Sequence, residues 1–254
     1  RLNDEVHARP PVPLEAPMLV SFLAFLHDER QPEGDRSHLG LLYERLGLPV
    51  EPSAEATHLI IDGRSFLLKW ERHGEFSTYT FFRKPEQPAG TGEHALAAVP
   101  AEWAQTIPGQ LLAATHLELL SAAVVDPSQL LRTLTAPGEV VVSSRIAGAA
   151  AWVFTDFRIH DGFSRYIVVN DGLDRLRAGR TVQRLLEVEI YRVMALLAFP
   201  VAKTVTGLLN RAEGELAQLI DRMGTSASSA DEQAVLADLT RLAAEVEHAV
   251  ASTT

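Results

Sequence analysis

Three short stretches hold the side chains that could do chemistry. The chain opens with LNDEVHARPP, where Glu5, His7 and Arg9 alternate and so share one side of an extended strand. KWERHGEF carries Glu71, Arg72, His73 and Glu75, and FTDFRIHDGFSRY carries Asp156, Arg158 and Arg165, with Arg145 just upstream. Histidine beside carboxylates suits proton transfer, and alternating His and Glu suits a metal ion. Opposed arginines suit a planar anion such as phosphate or carboxylate.

The elements that carry these residues decide between chemistry and structure. In KWERHGEF a two-residue turn at His73-Gly74 would pair Arg72 with Glu75, Trp70 with Ser77, Leu68 with Tyr79 and Phe66 with Phe81. One face is then apolar (Phe66, Leu68, Trp70, Tyr79, Phe81) and the other carries Lys69, Glu71, Thr78 and Thr80. Glu71 and Glu75 fall on opposite faces, so a structural hairpin with an Arg72–Glu75 ion pair is favoured over a metal site. The second hairpin turns at Asp161-Gly162. Phe157, Ile159, Tyr166 and Val168 would line one face; Asp156, Arg158 and Arg165, then Trp152, Phe154, Ile167 and Val169, would line the other. Asp156 between Arg158 and Arg165 is the simplest way to relieve their repulsion; a bound anion is the alternative. His116 and Glu118 share a strand face, where a structural histidine is favoured. Prolines at 10, 11, 13 and 17 keep the N-terminal segment extended, as a polar anchor docked on the folded domain in preference to a catalytic Glu5–His7 pair.

Around these hairpins the pattern predicts an α+β fold: a mixed, mostly antiparallel sheet with flanking helices, then a long C-terminal helical hairpin. Ala16–Arg30 reads as a short amphipathic helix begun by Pro17. Asp35–Gly47 reads as a second, stopped by Gly47, and DPSQLLRTL as a third, capped by Asp126. Asp62-Gly63 signals another two-residue turn, and RIAGAAA a turn near Gly148. Beyond Asp174 the period becomes helical to Met223, with Pro200 expected to kink or break it. In the last helix Val235, Leu239, Leu242, Val246 and Val250 approximate a heptad. The expected domains are 1–174 and 175–254.

Composition removes several function classes. A net charge of −10 argues against a nucleic-acid binder, and the absence of cysteine removes disulfides and thiolate metal sites. There is no phosphate-binding glycine loop, GxSxG elbow, HExxH or EF-hand, so no metal and no cofactor is expected. The longest apolar run, Val193–Val201, is about half of what a bilayer-spanning helix needs. The stretch reads as soluble, and its opening at Arg1 reads as trimmed.

Taken together, LNDEVHARPP, KWERHGEFSTYTF, SRIAGAAAWVFTDFRIHDGFSRY and AGRTVQRLLEVEIYRVMALLAFP resemble a bacterial family of uncharacterised membrane-anchored proteins, domain of unknown function 3422. The resemblance spans essentially the whole chain. It implies a longer protein tethered at the bacterial inner membrane by an apolar C-terminal segment, with this portion facing the cytoplasm. It brings no activity and no catalytic residues. Three functions are then weighed. The favoured one is partner or ligand binding and assembly, as a homo-oligomer joined through the C-terminal helices. The others are a regulatory domain of a CorA-like channel, by analogy of architecture, and an enzyme using Glu5, His7, Glu71, His73, Arg145 or Arg158. The enzyme requires those residues to converge in one pocket.

Overall fold

The computed structural model describes residues 10–27, 33–48, 56–86, 92–135, 140–225 and 228–253. Its elements in chain order are β1 (Met18–Leu26), α1 (Gly34–Leu46), β2 (His58–Asp62), β3 (Leu67–Arg72), β4 (Phe76–Arg83), a 3-10 turn (Ala95–Ala98), α2 (Ala101–Gln105), β5 (Gln110–Ser121), α3 (Pro127–Leu134), β6 (Val142–Ile146), β7 (Ala151–His160), β8 (Phe163–Asn170), α4 (Arg175–Thr225) and α5 (Ser229–Thr253). The strands form one sheet in the order β2-β3-β4-β1-β5-β8-β7-β6. The β5–β8 pair is parallel and the others are antiparallel. This is the expected α+β fold with a mixed, mostly antiparallel sheet and a long helical end. The chain divides into two compact units, Arg1–Tyr191 and Arg192–Thr254.

Ala16–Arg30 corrects the sequence reading: Met18–Leu26 is strand β1, not a helix. It sits between β4 and β5 and is buried on both faces from Leu19 to Ala24. A strand covered on both sides has no polar alternation, and its apolar run then imitates a helical stripe. The helices predicted at Asp35–Gly47 and after Asp126 form as expected. Gly47 closes α1 in a left-handed conformation (φ 64°), with its N–H donating to Glu44 O. Asp126 caps α3 by accepting from the N–H groups of Ser128 and Gln129.

The first hairpin keeps its predicted faces but not its predicted turns. Trp70 pairs with Tyr79, Leu68 with Phe81 and Arg72 with Ser77. The turn centres on Gly74-Glu75, closed by His73 N–H donating to Phe76 O at 2.8 Å. Moving a turn by one residue changes each pairing by two, so the same side chains face the core in either register. Hydrophobic alternation cannot distinguish the two. Likewise β2 turns into β3 at Arg64-Ser65, beyond Asp62-Gly63, with Gly63 N–H donating to Phe66 O. The expected Arg72–Glu75 ion pair gives way to Arg72–Asp35 at 2.7 Å, because the new register carries Glu75 into the turn.

The front face of the sheet unit carries two apolar clusters. Trp70, Tyr79, Phe81, Leu23 and their neighbours lie under α1 and α2, with Leu39, Leu42 and Trp103 filling the layer. Leu120, Phe154 and Val169, with Trp152 and Ile167 beside them, lie under α3. The back face is more polar, and the first turns of α4 lie against it: Ala178, Val182, Leu186 and Ile190 are buried, and Lys69 Nζ donates to Gln183 Oε1 (3.3 Å) while pairing with Glu71 at 3.0 Å. Glu189, 1% exposed, accepts from Ser164 Oγ and Tyr166 OH. Gly179 is what lets the helix approach: a Cβ there would stand 1.9 Å from Val12 O.

In the second unit the rest of α4 pairs with α5. Ala212, Leu219, Val235 and Leu242 are buried between them, with Leu239 and Val246 alongside. Arg211–Glu245, Arg241–Glu215 and Arg222–Asp238 bridge the helices with descending partners, so the two are antiparallel. Val250 departs from the expected heptad seam and is exposed. Pro200 does not end the helix, which runs on to Thr225. A proline within a helix removes one N–H donor and crowds the preceding turn, yet the helical hydrogen bonding resumes beyond it.

Candidate functional site

The gap between the two front-face clusters is a cavity of about 760 Å³. Leu19, Leu96, Leu134, Val141, Phe154 and Ile167 give it apolar walls. Its titratable acids, histidines and arginine come from three places: Glu93 and His94 before the 3-10 turn, His116 and Glu118 on β5, and Asp156, His160, Asp161 and Arg165 on the second hairpin.

Sheet register builds its centre. The β1–β5 pairing sets Ser21 against His116, and the parallel β5–β8 pairing sets His116 against Arg165. Leu96 N–H donates to Ser21 Oγ at 3.0 Å, and Ser21 Oγ lies 2.9 Å from His116 Nδ1. Ser21 is fully buried. Its hydroxyl hydrogen needs an acceptor, and His116 Nδ1 supplies it. The proton of the neutral ring therefore sits on Nε2. The imidazole is sandwiched between the rings of His94 (4.4 Å) and Phe163 (3.9 Å), both nearly parallel to it. Only its edge is left for hydrogen bonding. Burial, aided by His94 and Arg165, pushes the His116 pKa down to about 3, so the ring is neutral at physiological pH. His94 is also lowered, by burial and then Arg83, against the pull of Glu93. Its Nδ1 is buried with no hydrogen-bond partner among the described residues.

The other wall is a bulge. On β7 Thr155 pairs with Tyr166 and Ile159 with Ser164, so Asp156, Phe157 and Arg158 together face Arg165. Phe157 has φ 55°, a conformation bulky residues avoid. Asp156 holds the loop: Oδ1 accepts from Arg158 N–H at 2.9 Å, and Oδ2 lies 2.5 Å from His160 Nε2. Burial works against the Asp156 charge, but the Arg158 N–H and His160 outweigh it and hold the carboxyl below its ordinary pKa. The bulge corrects the predicted second hairpin. Arg158 and Arg165 are not directly opposed as a simple pair, and Phe157 and Ile159 are exposed (45% and 69%), not lined up with buried Tyr166 and Val168. The opposite face, Trp152, Phe154, Ile167 and Val169, forms as expected.

The remaining candidates lie apart. Glu71 is buried beside Lys69 on the back face. His73 stacks on Phe76 at the first hairpin turn, and Arg72 bonds Asp35. Arg145 lies near the β6–β7 turn, over the Trp152 ring at 5.3 Å and near Asp171. Glu5, His7 and Arg9 lie outside the described residues. Asp156 and Arg165 line the cavity, but Asp156 bonds His160 and the Arg158 N–H while Arg165 pairs with Asp161 at 3.5 Å, so Asp156 is not the bridge between the two arginines that the sequence suggested. Ser21, His94, His160 and Phe163 were not singled out by sequence. His160 had a local signal, four residues after Asp156 and beside a turn; the others meet only through long-range pairing. Among the described residues no group of three or more His, Asp or Glu is arranged to hold a metal ion.

No curated protein and no solved structure matches this chain. The family model described as "Protein of unknown function (DUF3422)" matches residues 1–254. With the whole sheet and both long helices inside that match, the chain belongs to the DUF3422 family.

Proposed function

We propose that the sheet unit is a receptor for a small amphipathic molecule that is uncharged or cationic. The observation that carries this is the cavity itself: about 760 Å³, within the range of small-molecule sites, apolar in its walls and supplied with a few converging polar groups. The ligand's apolar body would lie against Leu96, Phe154 and Ile167, and an acceptor atom would meet the His116 Nε2–H. Glu93, Glu118, Asp156 and Asp161 outnumber Arg165 among the lining charges. That balance disfavours phosphates and carboxylates. The likeness of the sequence to membrane-anchored proteins supports placing this receptor at a bacterial inner membrane, facing the cytoplasm; no described helix is itself long and apolar enough to cross a membrane.

Three probes of one size test it: benzamide, benzyltrimethylammonium and benzoate. The first two should raise the melting temperature progressively with concentration, and benzoate should not. Leu134→Trp, which fills the cavity from α3, should abolish both shifts. Shifts that survive in that variant, or no shift with any probe, would defeat the proposal.

A further inference from the structure

We propose that the second unit dimerises: one face of its helical hairpin packs against the same face of a second copy, forming a four-helix bundle. This is independent of the ligand reading and rests on residues 209–250.

The two broad faces of the hairpin differ. The seam between the helices is Ala212 and Leu219 from α4 and Val235 and Leu242 from α5. At 3.6 residues per turn, Arg211, Glu215 and Arg222 lie on one flank of the α4 stripe, and Leu209, Leu216, Ile220 and Met223 lie on the other. On α5, Asp238, Arg241 and Glu245 take one flank, and Leu236, Ala243 and Val250 the other. The charged flanks meet, because Arg211–Glu245, Arg241–Glu215 (3.2 Å) and Arg222–Asp238 (2.8 Å) join the two helices. The apolar flanks must then share the opposite face.

That face has the period of a packed surface. Leu209, Leu216 and Met223 recur every seven residues, as do Leu236, Ala243 and Val250. Each helix thus carries a buried heptad stripe and a second one beside it that is exposed, with Leu236 at 65% and Ile220 at 58%. A helix with one neighbour needs one stripe; two adjacent stripes are the pattern of a helix in a larger bundle. The interface would be continuous with the intramolecular seam.

Area and charge select a second copy as the occupant. A 25-residue helix is about 37 Å long and two side by side are about 18 Å wide, so the face offers roughly 700 Å² per copy. A pair would bury roughly 1,400 Å², inside the range of about 1,200–2,000 Å² for stable interfaces. A two-fold pairing of one self-complementary face closes the assembly. A lipid surface fits poorly: between residues 202 and 253 there are 4 basic and 8 acidic residues, whereas helices that lie on membranes carry basic polar faces.

The test is the mass of the full chain in solution by light scattering and sedimentation, from about 1 to 100 μM. Twice 27.8 kDa is expected. Ile220→Glu and Leu236→Glu, both at exposed positions, should each weaken the dimer at least 100-fold while helical circular dichroism stays unchanged. Arg241→Ala, on the charged face, should leave the dimer intact. The proposal is overturned by a monomer throughout that range, by closure into any other copy number, by dimers that survive both apolar-face variants, or by a monomer that instead binds anionic vesicles.

Discussion

Two hairpins lie in one sheet and teach different things. β3–β4 pairs without interruption from Leu67↔Phe82 to Arg72↔Ser77, and its front face is buried and aromatic. β7–β8 has the tighter turn signal, yet its pairing is broken between Thr155 and Ile159, where Phe157 takes a positive φ and two aspartates reach a cavity. In the first, alternation and burial agree, and only the turn shifts by one residue. In the second, the local pattern is overridden beside the cavity of about 760 Å³. Such a local disagreement is what a functional site produces, because its geometry serves something other than packing.

The largest effect should come from the regular hairpin. Phe81 is fully buried between Phe66 and Trp103, so Phe81→Ala should cost about 3–5 kcal/mol by urea unfolding. Asp35 ties the same hairpin to α1, accepting from Arg72 and Ser77 at 2.7 Å each, and Ser77 also meets His27 Nε2. Asp35→Ala leaves a mostly buried guanidinium without that carboxylate. It should cost about 2–3 kcal/mol, less than a fully buried pair would because Arg72 keeps some solvent. If Asp35→Ala matched wild type in urea, the regular hairpin would owe its stability to its aromatic face alone.

The second hairpin should reveal itself through pH. His116 stacks on Phe163, the first residue of β8, and its folded pKa is pushed down to about 3. The unfolded chain takes up that proton near pH 6.5, so between about 6.5 and 3 unfolding binds a proton and acid favours it. Stability from this group is whole above 6.5 and falls as pH drops through that window, by up to about 1 kcal/mol per pH unit after allowing for partial exposure. His116→Gln should flatten this slope between pH 7 and 5 in urea titrations. The residual slope belongs to His27, His38 and His94, which burial lowers in the same direction. An unchanged slope in the variant would move the acid sensitivity away from the cavity.

The contrast also explains what the sequence could reveal. The core face of β3–β4 was legible because residues two apart must share a side, whichever residue begins the turn. The strand β1 was not, since burial on both faces erases the alternation that separates strand from helix. The cavity-lining Asp156 and Arg165 were legible because they lie within one hairpin. Ser21, His94 and His116 were not legible as a unit. Ser21 and His116 join through β1–β5 pairing, His94 joins by stacking on His116, and Arg165 joins through the parallel β5–β8 pairing; no local spacing encodes a parallel partner.

The smallest effect is the sharpest test of the comparison. Phe157 and Phe81 are both aromatic residues on hairpin strands, yet Phe157 is half exposed, touches Tyr166 edge-on at 6.3 Å and sits at φ 55°. Phe157→Gly would lose that ring contact, worth about 0.5–1.5 kcal/mol, and the burial of about half the ring, about 1–1.5 kcal/mol, and add about 0.5–1 kcal/mol of unfolded-chain entropy. It would also remove about 1–2 kcal/mol of left-handed strain. The changes partly offset one another, so stability should fall by no more than about 2 kcal/mol by urea unfolding. The bulge would be less firmly held, and the melting shift produced by benzamide should shrink. A loss as large as that of Phe81→Ala would make the bulge part of the core. The two hairpins would then differ in shape alone, and the bulge would no longer mark the cavity as the place where packing yields to function.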